Sequence, residues 1–330
     1  MGTPSARSNG QTPNLSKGPT AVETDNLVKR FGDFVAVDRV TLKVDQGEIF
    51  GFLGSNGAGK STTIRMLCGL LGPTSGTARV AGFDVSTQAE AVKKTIGYMS
   101  QKFSLYDDLT VEENIDFFAG IYSVPSSRRP QRKEFVLEMA GLEEQRRRMT
   151  RLLPGGWKQR LALGCAILHE PAILFLDEPT SGVDPMARRS FWDLIYQLSA
   201  AGHTVFVTTH YMDEAEYCHR LALMHRGRVI AAGPPESLKD GLRSMTLMHL
   251  DSSDLVGSMK ALARQEGILE VAVFGSGLHI SVRDASVDAE RIRSLLSEQG
   301  IRVDRLEVIR PSMEDVFVAL IEEEEREVRT

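Results

Sequence analysis

Residues 54–61 are the clearest candidates for chemistry in this chain of 330 residues, because they read GSNGAGKS. The run fits the phosphate-loop pattern G-x-x-x-x-G-K-[ST] at every fixed position. Glycines allow successive backbone N–H groups to curl around phosphate oxygens, where side chains would block the approach. In this pattern Lys60 reaches the β- and γ-phosphates, and the hydroxyl of Ser61 binds Mg²⁺. The stretch therefore predicts a site for a nucleoside triphosphate.

The elements on either side of this loop support the prediction. The apolar residues 48–53 predict a short buried strand, and the sequence from Thr62 predicts the start of a helix. A helix N-terminus offers unpaired N–H donors and a partial positive charge, and both favour phosphate. The alternative, a glycine-rich turn with an exposed lysine, is disfavoured by this strand-loop-helix context. We expect the triphosphate to contact Gly54, Ser55, Asn56, Gly57, Ala58, Gly59, Lys60, Ser61 and Thr62.

A second candidate element is an apolar run that ends in Asp177 and Glu178. The carboxylate of Asp177 is placed to hold the shell of a Mg²⁺ ion, and Glu178 is placed to orient or deprotonate a water molecule. Gln101 and His210 also follow short predicted strands, at the sheet edge where ligands gather in α/β folds. A lone glutamine is more often a surface residue and a lone histidine more often structural. At the end of a strand in this sheet, however, His210 is a candidate for a γ-phosphate contact.

The overall composition argues against several classes of protein. A formal charge of −5 disfavours a nucleic-acid partner, which usually needs a basic face. Cys68, Cys165 and Cys218 lie far apart, which suits a reduced cytosolic protein without disulfides or a zinc cluster. No apolar run approaches the roughly 18 residues of a membrane span, and the N-terminus lacks a secretory apolar core. We therefore expect any membrane role to depend on a partner protein.

The sequence predicts two domains with short flanking segments. Residues 1–22 are rich in Ser, Thr, Gly and Pro and predict a flexible tail, and residues 23–236 predict an α/β nucleotide-binding domain. A polar linker is expected at 237–244. Residues 245–322 show the order β-α-β-β-α-β, which predicts a small α+β domain of ferredoxin-like type. The acidic end, 323–330, is predicted to fray as a tail.

Taken together, the motifs resemble those of the ATP-binding subunit of an ABC transporter, over about residues 26–236. The family's motifs occur in the family's order: an A-loop aromatic at Phe31, Walker A at 54–61, a Q-loop glutamine at Gln101, Walker B at 174–178, a D-loop at 181–184 and a switch histidine at His210. The resemblance implies that Glu178 and His210 are catalytic and that Asp184 acts in the D-loop. It also implies that Phe31 stacks on the base, although an isolated phenylalanine is more often part of a core.

Residues 153–157 resemble the family signature, which begins L-S-G-G, with two departures. The five residues are Leu153, Pro154, Gly155, Gly156 and Trp157. Pro154 stands in place of the serine, which removes a hydroxyl that in the family contacts the γ-phosphate of ATP on the opposing subunit. Trp157 stands in place of the usual glutamine. A phosphate loop alone is shared with kinases and GTPases, whereas the signature, the D-loop and the histidine together are specific to the ABC class.

The resemblance implies a P-loop NTPase fold with a mixed sheet and a helical signature subdomain. It implies ATP and Mg²⁺ as ligands, with the metal held by Ser61, Gln101 and Asp177. It further implies a homodimer that sandwiches two ATP molecules and drives a separate transmembrane permease, at the cytoplasmic face of the membrane and without nucleic acid. The C-terminal region resembles the ATPases of drug-resistance exporters that work with ABC-2 permeases. A soluble ABC ATPase that acts on ribosomes or DNA, or in assembly, is the alternative.

Overall fold

The computed structural model describes residues 19–101, 105–241, 246–263 and 265–329. The chain divides into two compact units, and the boundary lies between Pro234 and Pro235. Each unit has its own buried apolar core. None of the described helices is both long enough and apolar enough to span a bilayer.

The first unit contains two sheets and a set of helices. Its strands are, in chain order, β1 (Thr20–Phe31), β2 (Phe34–Asp45), β3 (Ile49–Gly54), β4 (Ser75–Val80), β5 (Phe83–Asp84), β6 (Ile96–Met99), β7 (Ile173–Asp177), β8 (Thr204–Thr209), β9 (Arg220–His225) and β10 (Arg228–Gly233). Its α-helices are α1 (Lys60–Leu67), α2 (Ala89–Thr95), α3 (Val111–Ile121), α4 (Arg129–Ala140), α5 (Gly155–Ala166) and α6 (Pro185–Ala200). Short 3₁₀ turns lie at Glu143–Gln145, Thr150–Leu152 and Met212–Tyr217.

A six-stranded sheet positions the candidate site, with the strand order β10-β9-β3-β8-β7-β6. Its neighbours pair in parallel except for β9 and β10, which form an antiparallel hairpin. The strands β3, β7 and β8 are buried along their whole length, as expected for parallel strands covered on both faces. The phosphate loop, the two acids and the switch histidine all follow the carboxyl ends of these strands, so they lie along one edge of the sheet.

The second sheet of this unit is antiparallel, with the order β2-β1-β4-β5. Beside the large sheet, helices α3, α4 and α5 pack on one another and share a core cluster with it. A capping box starts α3, since the Thr110 hydroxyl accepts from the Glu113 N–H and the Glu113 carboxylate accepts from the Thr110 N–H. This helical part presents the start of α5, where the signature residues lie.

The second unit is a four-stranded antiparallel sheet with helices. Its elements are α7 (Pro235–Asp240), β11 (Thr246–Ser252), α8 (Leu255–Leu262), β12 (Ile268–Phe274), β13 (Gly277–Val282), α9 (Ala285–Glu298), β14 (Val303–Ile309) and α10 (Met313–Arg329). The strand order is β12-β13-β11-β14. Side chains from α8 and α9 share one core cluster with the strands, including Leu262, Ile292 and Leu296. The predicted β-α-β-β-α-β order is therefore present within this unit.

Three predicted boundaries are wrong. The flexible tail was expected to reach residue 22, but β1 begins at Thr20, because Ala21 and Val22 are buried and the strand pairs with both β2 and β4. The linker expected at 237–244 contains most of α7, whose first residue, Pro235, suits a helix start. Residues 1–18 of the predicted tail and residues 242–245, which include the end of the linker, lie outside the described residues.

The acidic end is the third of these boundaries. Helix α10 continues through it to Arg329 rather than fraying at residue 323. The helix buries Val316 and Phe317 near its start, and its run of glutamates has high helix propensity, so the helix can extend without further burial.

Candidate functional site

The phosphate loop joins β3 to α1 and depends on glycines for its shape. Gly57 and Gly59 have φ angles of 80° and 110°, in the left-handed region that favours glycine. A Cβ atom added to Gly59 would lie 2.4 Å from the carbonyl oxygen of Ala36. Gly59 is also the N-cap of α1, and no side chain caps that helix. The loop and the helix start therefore form a backbone cradle of the kind that binds phosphate.

Lys60 lies at the first position of α1 and is 4% exposed. Its Nζ donates to the carbonyl oxygens of Gly54 and Ser55, at 2.8 and 3.1 Å, and lies 3.3 Å from Oε1 of Glu178. Burial lowers the pKa of the Lys60 ammonium group, and the nearby Glu178 carboxylate opposes that shift. The ammonium group is thus held at the mouth of the loop by oxygen atoms that phosphate oxygens can replace.

Ser61 and Asp177, which the sequence predicts to hold the metal, are in contact. The Ser61 hydroxyl donates to Oδ1 of Asp177 at 3.0 Å, and the hydroxyl of Thr208 donates to the same oxygen at 2.8 Å. Burial raises the pKa of Asp177, while the hydrogen bonds from Thr208 and Ser61 act in the opposite direction. A hydroxyl and a carboxylate in contact are the hard oxygen ligands that Mg²⁺ prefers, so these residues fit the metal.

Glu178 is the residue at which the predicted site converges. Its Oε2 accepts from the side-chain amide of Gln101 at 2.9 Å and lies 3.2 Å from Nδ1 of His210, while Oε1 contacts Lys60. The backbone of Glu178 has a φ of 49°, and such conformations in residues other than glycine often mark functional sites. The sheet therefore brings the predicted residues together around one buried carboxylate. The amide nitrogen of Gln101 faces that carboxylate, and no contact with Asp177 or Ser61 supports its expected metal role within the described residues.

The signature residues lie at the start of α5. Pro154 is the N-cap, one residue before the helix, with φ −56° and ψ 153°, and its carbonyl accepts from the N–H groups of Trp157 and Lys158. This differs from a proline in the first helical turn, since at the N-cap the missing hydroxyl is also a missing helix cap. Gly156 packs tightly, because a Cβ there would lie 2.9 Å from that of Ala187, whereas Gly155 has open space beside it.

Asp184 and Phe31 were predicted from the family resemblance. Asp184 is the N-cap of α6, and its Oδ1 accepts from the N–H groups of Met186 and Ala187 at 3.1 and 3.0 Å. This cap gives Asp184 a structural role of its own. Phe31 ends β1 and is 51% exposed, with Nζ of Lys29 5.2 Å from its ring centroid. The core alternative for Phe31 is therefore wrong, and its ring is accessible for stacking.

Sequence reasoning missed a network of side chains that extends from the buried Glu214 to the ring of His210. The fully buried Glu214 accepts from the Thr180 hydroxyl at 2.6 Å, and Nε of Arg188 lies 3.7 Å from it. The Arg188 guanidinium lies 3.9 Å from the ring centroid of Tyr211. The ring centroids of Tyr211 and His210 are 4.1 Å apart. Glu214 stands in a helical-looking acidic stretch, so nothing in its local sequence indicates that it is buried.

Comparison with known proteins gives the chain its family. A family model described as ABC transporter matches residues 37–181, and one described as ATP-binding protein DrrA1-3-like, C-terminal domain, matches residues 233–321. The daunorubicin/doxorubicin resistance ATP-binding protein DrrA of Streptomyces peucetius is 36% identical over 312 residues, covering 93% of this chain and 94% of that one. The chain belongs to the ABC transporter ATP-binding family. The linearmycin resistance ATP-binding protein LnrL of Bacillus subtilis is 33% identical and is covered over 97% of its length.

Other similarities concern the ATP-binding unit of this ABC protein. The probable multidrug ABC transporter ATP-binding protein YbhF of Escherichia coli is 53% identical over 222 residues, which span 67% of this chain but only 38% of that one. A solved structure of an ATP-binding subunit of an ABC transporter matches with a TM-score of 0.62 at 29% identity, over 68% of this chain and 94% of that one. The ATP-binding cassette MJ0796, as a dimer bound to ADP and Pi, matches with a TM-score of 0.59 at 27% identity, over 64% of this chain and 98% of that one. The predicted P-loop ABC fold is confirmed, and the family is one that binds and hydrolyses ATP.

We expect Pro154→Ser to change the maximal rate of ATP hydrolysis of this ABC protein by less than about tenfold. The N–H groups at the helix start, including that of the accessible Gly155, remain available to phosphate in either case. A serine would also cap α5, which is worth about 0.5–2 kcal/mol, so the thermal midpoint should rise slightly. The measurement compares phosphate release at saturating MgATP, with Pro130→Ser at the start of α4 as the matched control. A silent wild type that Pro154→Ser activates would contradict the prediction.

Proposed function

We propose that the chain is the ATP-binding and ATP-hydrolysing subunit of an ABC exporter. The observation that carries the proposal is the convergence of Lys60, Gln101 and His210 on the carboxylate of Glu178, beside the Ser61–Asp177 pair. These groups reach one edge of one sheet from four strand ends, a coincidence that a purely structural role would not require. The arrangement contains a phosphate cradle, a metal pair and a base, which together are the parts that phosphoryl transfer to water needs.

Under this proposal, each of these residues has a task. Lys60 exchanges its carbonyl and carboxylate partners for phosphate oxygens when ATP enters the loop, which frees Glu178 from the ion pair. Glu178 then accepts the proton of the attacking water, while Gln101 and His210 hold its carboxylate in place. Ser61 and Asp177 would hold Mg²⁺, with Gln101 as a further candidate ligand, and the ion would supply positive charge to offset that of the β- and γ-phosphates.

The site of one chain is proposed to be completed by the signature of a second copy. The start of α5 offers the N–H groups of Gly155 and Gly156, and the open space beside Gly155 leaves room for a phosphate to approach. Phe31 supplies an exposed ring for the base. The dimeric form of the similar cassette MJ0796 supports this arrangement. Two ATP molecules would then lie between two copies of this chain, each in contact with one phosphate loop and one signature.

The transport role is inferred from relatives named for drug resistance. DrrA and LnrL are similar over nearly the whole chain, including the second unit, whose strand order and two covering helices support a ferredoxin-like plait. We therefore place the chain at the cytoplasmic face of a membrane, bound to a separate permease that exports small or hydrophobic compounds. The test is affinity purification of the full chain from membranes. Recovery of a multi-span protein together with MgATP hydrolysis supports transport, whereas recovery of ribosomes or DNA supports a soluble ABC ATPase.

An exposed apolar surface near the Q-loop is the proposed permease contact. The Tyr106 ring lies 4.6 Å from that of Phe117 in edge contact, and both are exposed, as is Ile121 one turn further along α3. Leu105 packs partly into the core, so local packing accounts for that residue but not for Tyr106. Phe103, a further apolar residue between Gln101 and Tyr106, lies outside the described residues. Tyr106 follows Gln101 by five residues in the sequence, so we propose that changes at the γ-phosphate reach this surface through Gln101.

We expect a Tyr106→Cys variant to form a crosslink with a multi-span membrane protein in cells that still export. The native cysteines are all buried, so the background reaction should be low. The matched control is Leu70→Cys, an apolar residue of similar exposure after α1. The measurement is the yield of the crosslinked band with a thiol reagent of short reach. Equal yields at the two positions, or none at Tyr106→Cys, would remove this surface from the permease contact.

A further inference from the structure

Thr208 is a fully buried residue near the end of β8, and its hydroxyl touches both acids of the site. The hydroxyl donates to Oδ1 of Asp177 at 2.8 Å. The same oxygen accepts from the backbone N–H of Glu178 at 3.0 Å. An ionised carboxylate can only accept, so the hydroxyl hydrogen is committed to Asp177 and a lone pair remains for the Glu178 N–H. One side chain thus satisfies two different groups of the site at once.

The backbone around this hydroxyl indicates that it does more than fill space in the strand. Asp177 and Thr208 are register partners where β7 pairs with β8, and the ladder ends there because Glu178 turns into a left-handed conformation with φ 49°. The Glu178 N–H already has a backbone acceptor, the Thr208 carbonyl oxygen at 3.1 Å. The second acceptor, from the side chain, therefore fixes the direction of the turn and is not needed to satisfy a buried donor. A valine would fill the same volume in this strand, yet would supply neither bond.

We propose that Thr208 is a positioning residue for ATP hydrolysis, which fixes the carboxylate of Asp177 towards the metal and the turn of Glu178 towards the attacking water. The inference rests on the proposed function of the site. Thr208 acts through the two acids, and among the described residues its hydroxyl is hydrogen-bonded to Asp177 and Glu178 and not to the phosphate loop. Its loss should therefore reduce the rate of the chemical step and the response to Mg²⁺, and should leave nucleotide affinity nearly unchanged.

The test is a set of variants of the full chain assayed for MgATP hydrolysis. Thr208→Val should lower kcat by about 10- to 100-fold, the value expected for loss of a hydrogen bond to a charged group. The concentration of Mg²⁺ that gives half-maximal activity should rise, and the affinity for a fluorescent ATP analogue should stay within about threefold. Thr208→Ser keeps the hydroxyl and should recover most of kcat. Thr204→Val is the matched control, since Thr204 is also buried in β8 and its hydroxyl accepts from the Gly47 N–H, with no bond to either acid among the described residues.

The outcomes separate the inference from the function on which it rests. A wild type without MgATP hydrolysis would overturn the proposed function and the role of Thr208 with it. An active wild type with equal kcat in Thr208→Val and Thr204→Val would overturn the inference alone. A Thr208→Ser variant as slow as Thr208→Val would also overturn the inference, because we assign the positioning role to the hydrogen bonds of the hydroxyl and not to the shape of the side chain. If Thr208→Val folds poorly by circular dichroism, Thr208→Ala removes the same hydroxyl with less crowding and is judged by the same comparison.

Discussion

A Glu178→Gln variant is expected to bind MgATP and to hydrolyse it about 100- to 10,000-fold more slowly than the wild type, the range for loss of a general base. The amide has the size of the carboxylate and can still contact Gln101 and His210, but it cannot accept a proton from water at neutral pH. It also cannot form the ion pair that holds Lys60 in the nucleotide-free chain, at 3.3 Å. ATP affinity should therefore be equal to or tighter than that of the wild type, and dimers should accumulate with MgATP.

The control for this variant is Glu170→Gln, at the opposite end of β7. Glu170 precedes β7 as Glu178 follows it, also has a positive φ, and forms exposed ion pairs with Arg128 and Arg132. Its substitution should leave turnover within about twofold, since exposed ion pairs contribute little. Phosphate release and light scattering with MgATP are the two measurements. Turnover near wild type in Glu178→Gln would remove Glu178 as the base, and ATP-bound monomers alone would contradict the sandwich for the isolated subunit.

The candidate site was predictable because the strands that carry it are apolar along their length. Parallel strands buried on both faces appear in sequence as continuous hydrophobic runs, and the residues after their carboxyl ends must share one edge. The sequence alone therefore predicts that Lys60, Glu178 and His210 lie close together at one edge of the sheet. That logic does not apply to the antiparallel strands of the second unit, which were predicted from the β-α-β-β-α-β order and bury residues such as Met248 and Ile280.

Residues whose role depends on a partner across the sheet could not be predicted. Thr208 is one of two threonines before His210, and only the register of β7 with β8 shows that its hydroxyl meets Asp177. Glu214 appears in sequence as a solvated acid, yet it is completely buried and accepts from the Thr180 hydroxyl. The N-cap position of Pro154 could not be predicted for a different reason, since a proline is compatible with both the cap and the first helical turn and local sequence does not distinguish them.

Lys60→Ala is expected to abolish measurable ATP turnover. The ammonium group is the side chain placed to contact the β- and γ-phosphates, and two charge-assisted hydrogen bonds are worth about 3–6 kcal/mol, or about 150- to 25,000-fold in rate. The matched control is Lys93→Ala, which removes an exposed lysine paired with Glu90 on α2. Phosphate release at saturating MgATP is the measurement. Hydrolysis within about threefold of wild type would exclude Lys60 from the mechanism.

The same variant tests the ion pair between Lys60 and Glu178 by a measurement of Tm, which does not depend on activity. Lys60 and Glu178 are both buried, so removing the ammonium group leaves the carboxylate without its nearest positive charge. Uncompensated burial costs about 1–3 kcal/mol, which should lower Tm by about 3–10 °C without nucleotide. Adding Glu178→Gln to Lys60→Ala removes the unpaired charge, so this double variant should recover much of the lost Tm. The effects of the two substitutions should therefore not be additive, whereas those of Lys93→Ala and Glu178→Gln should be. If the two single effects on Tm simply add, the ion pair does not hold Lys60 at the mouth of the loop, and the exchange of partners that we derive for ATP entry has no basis.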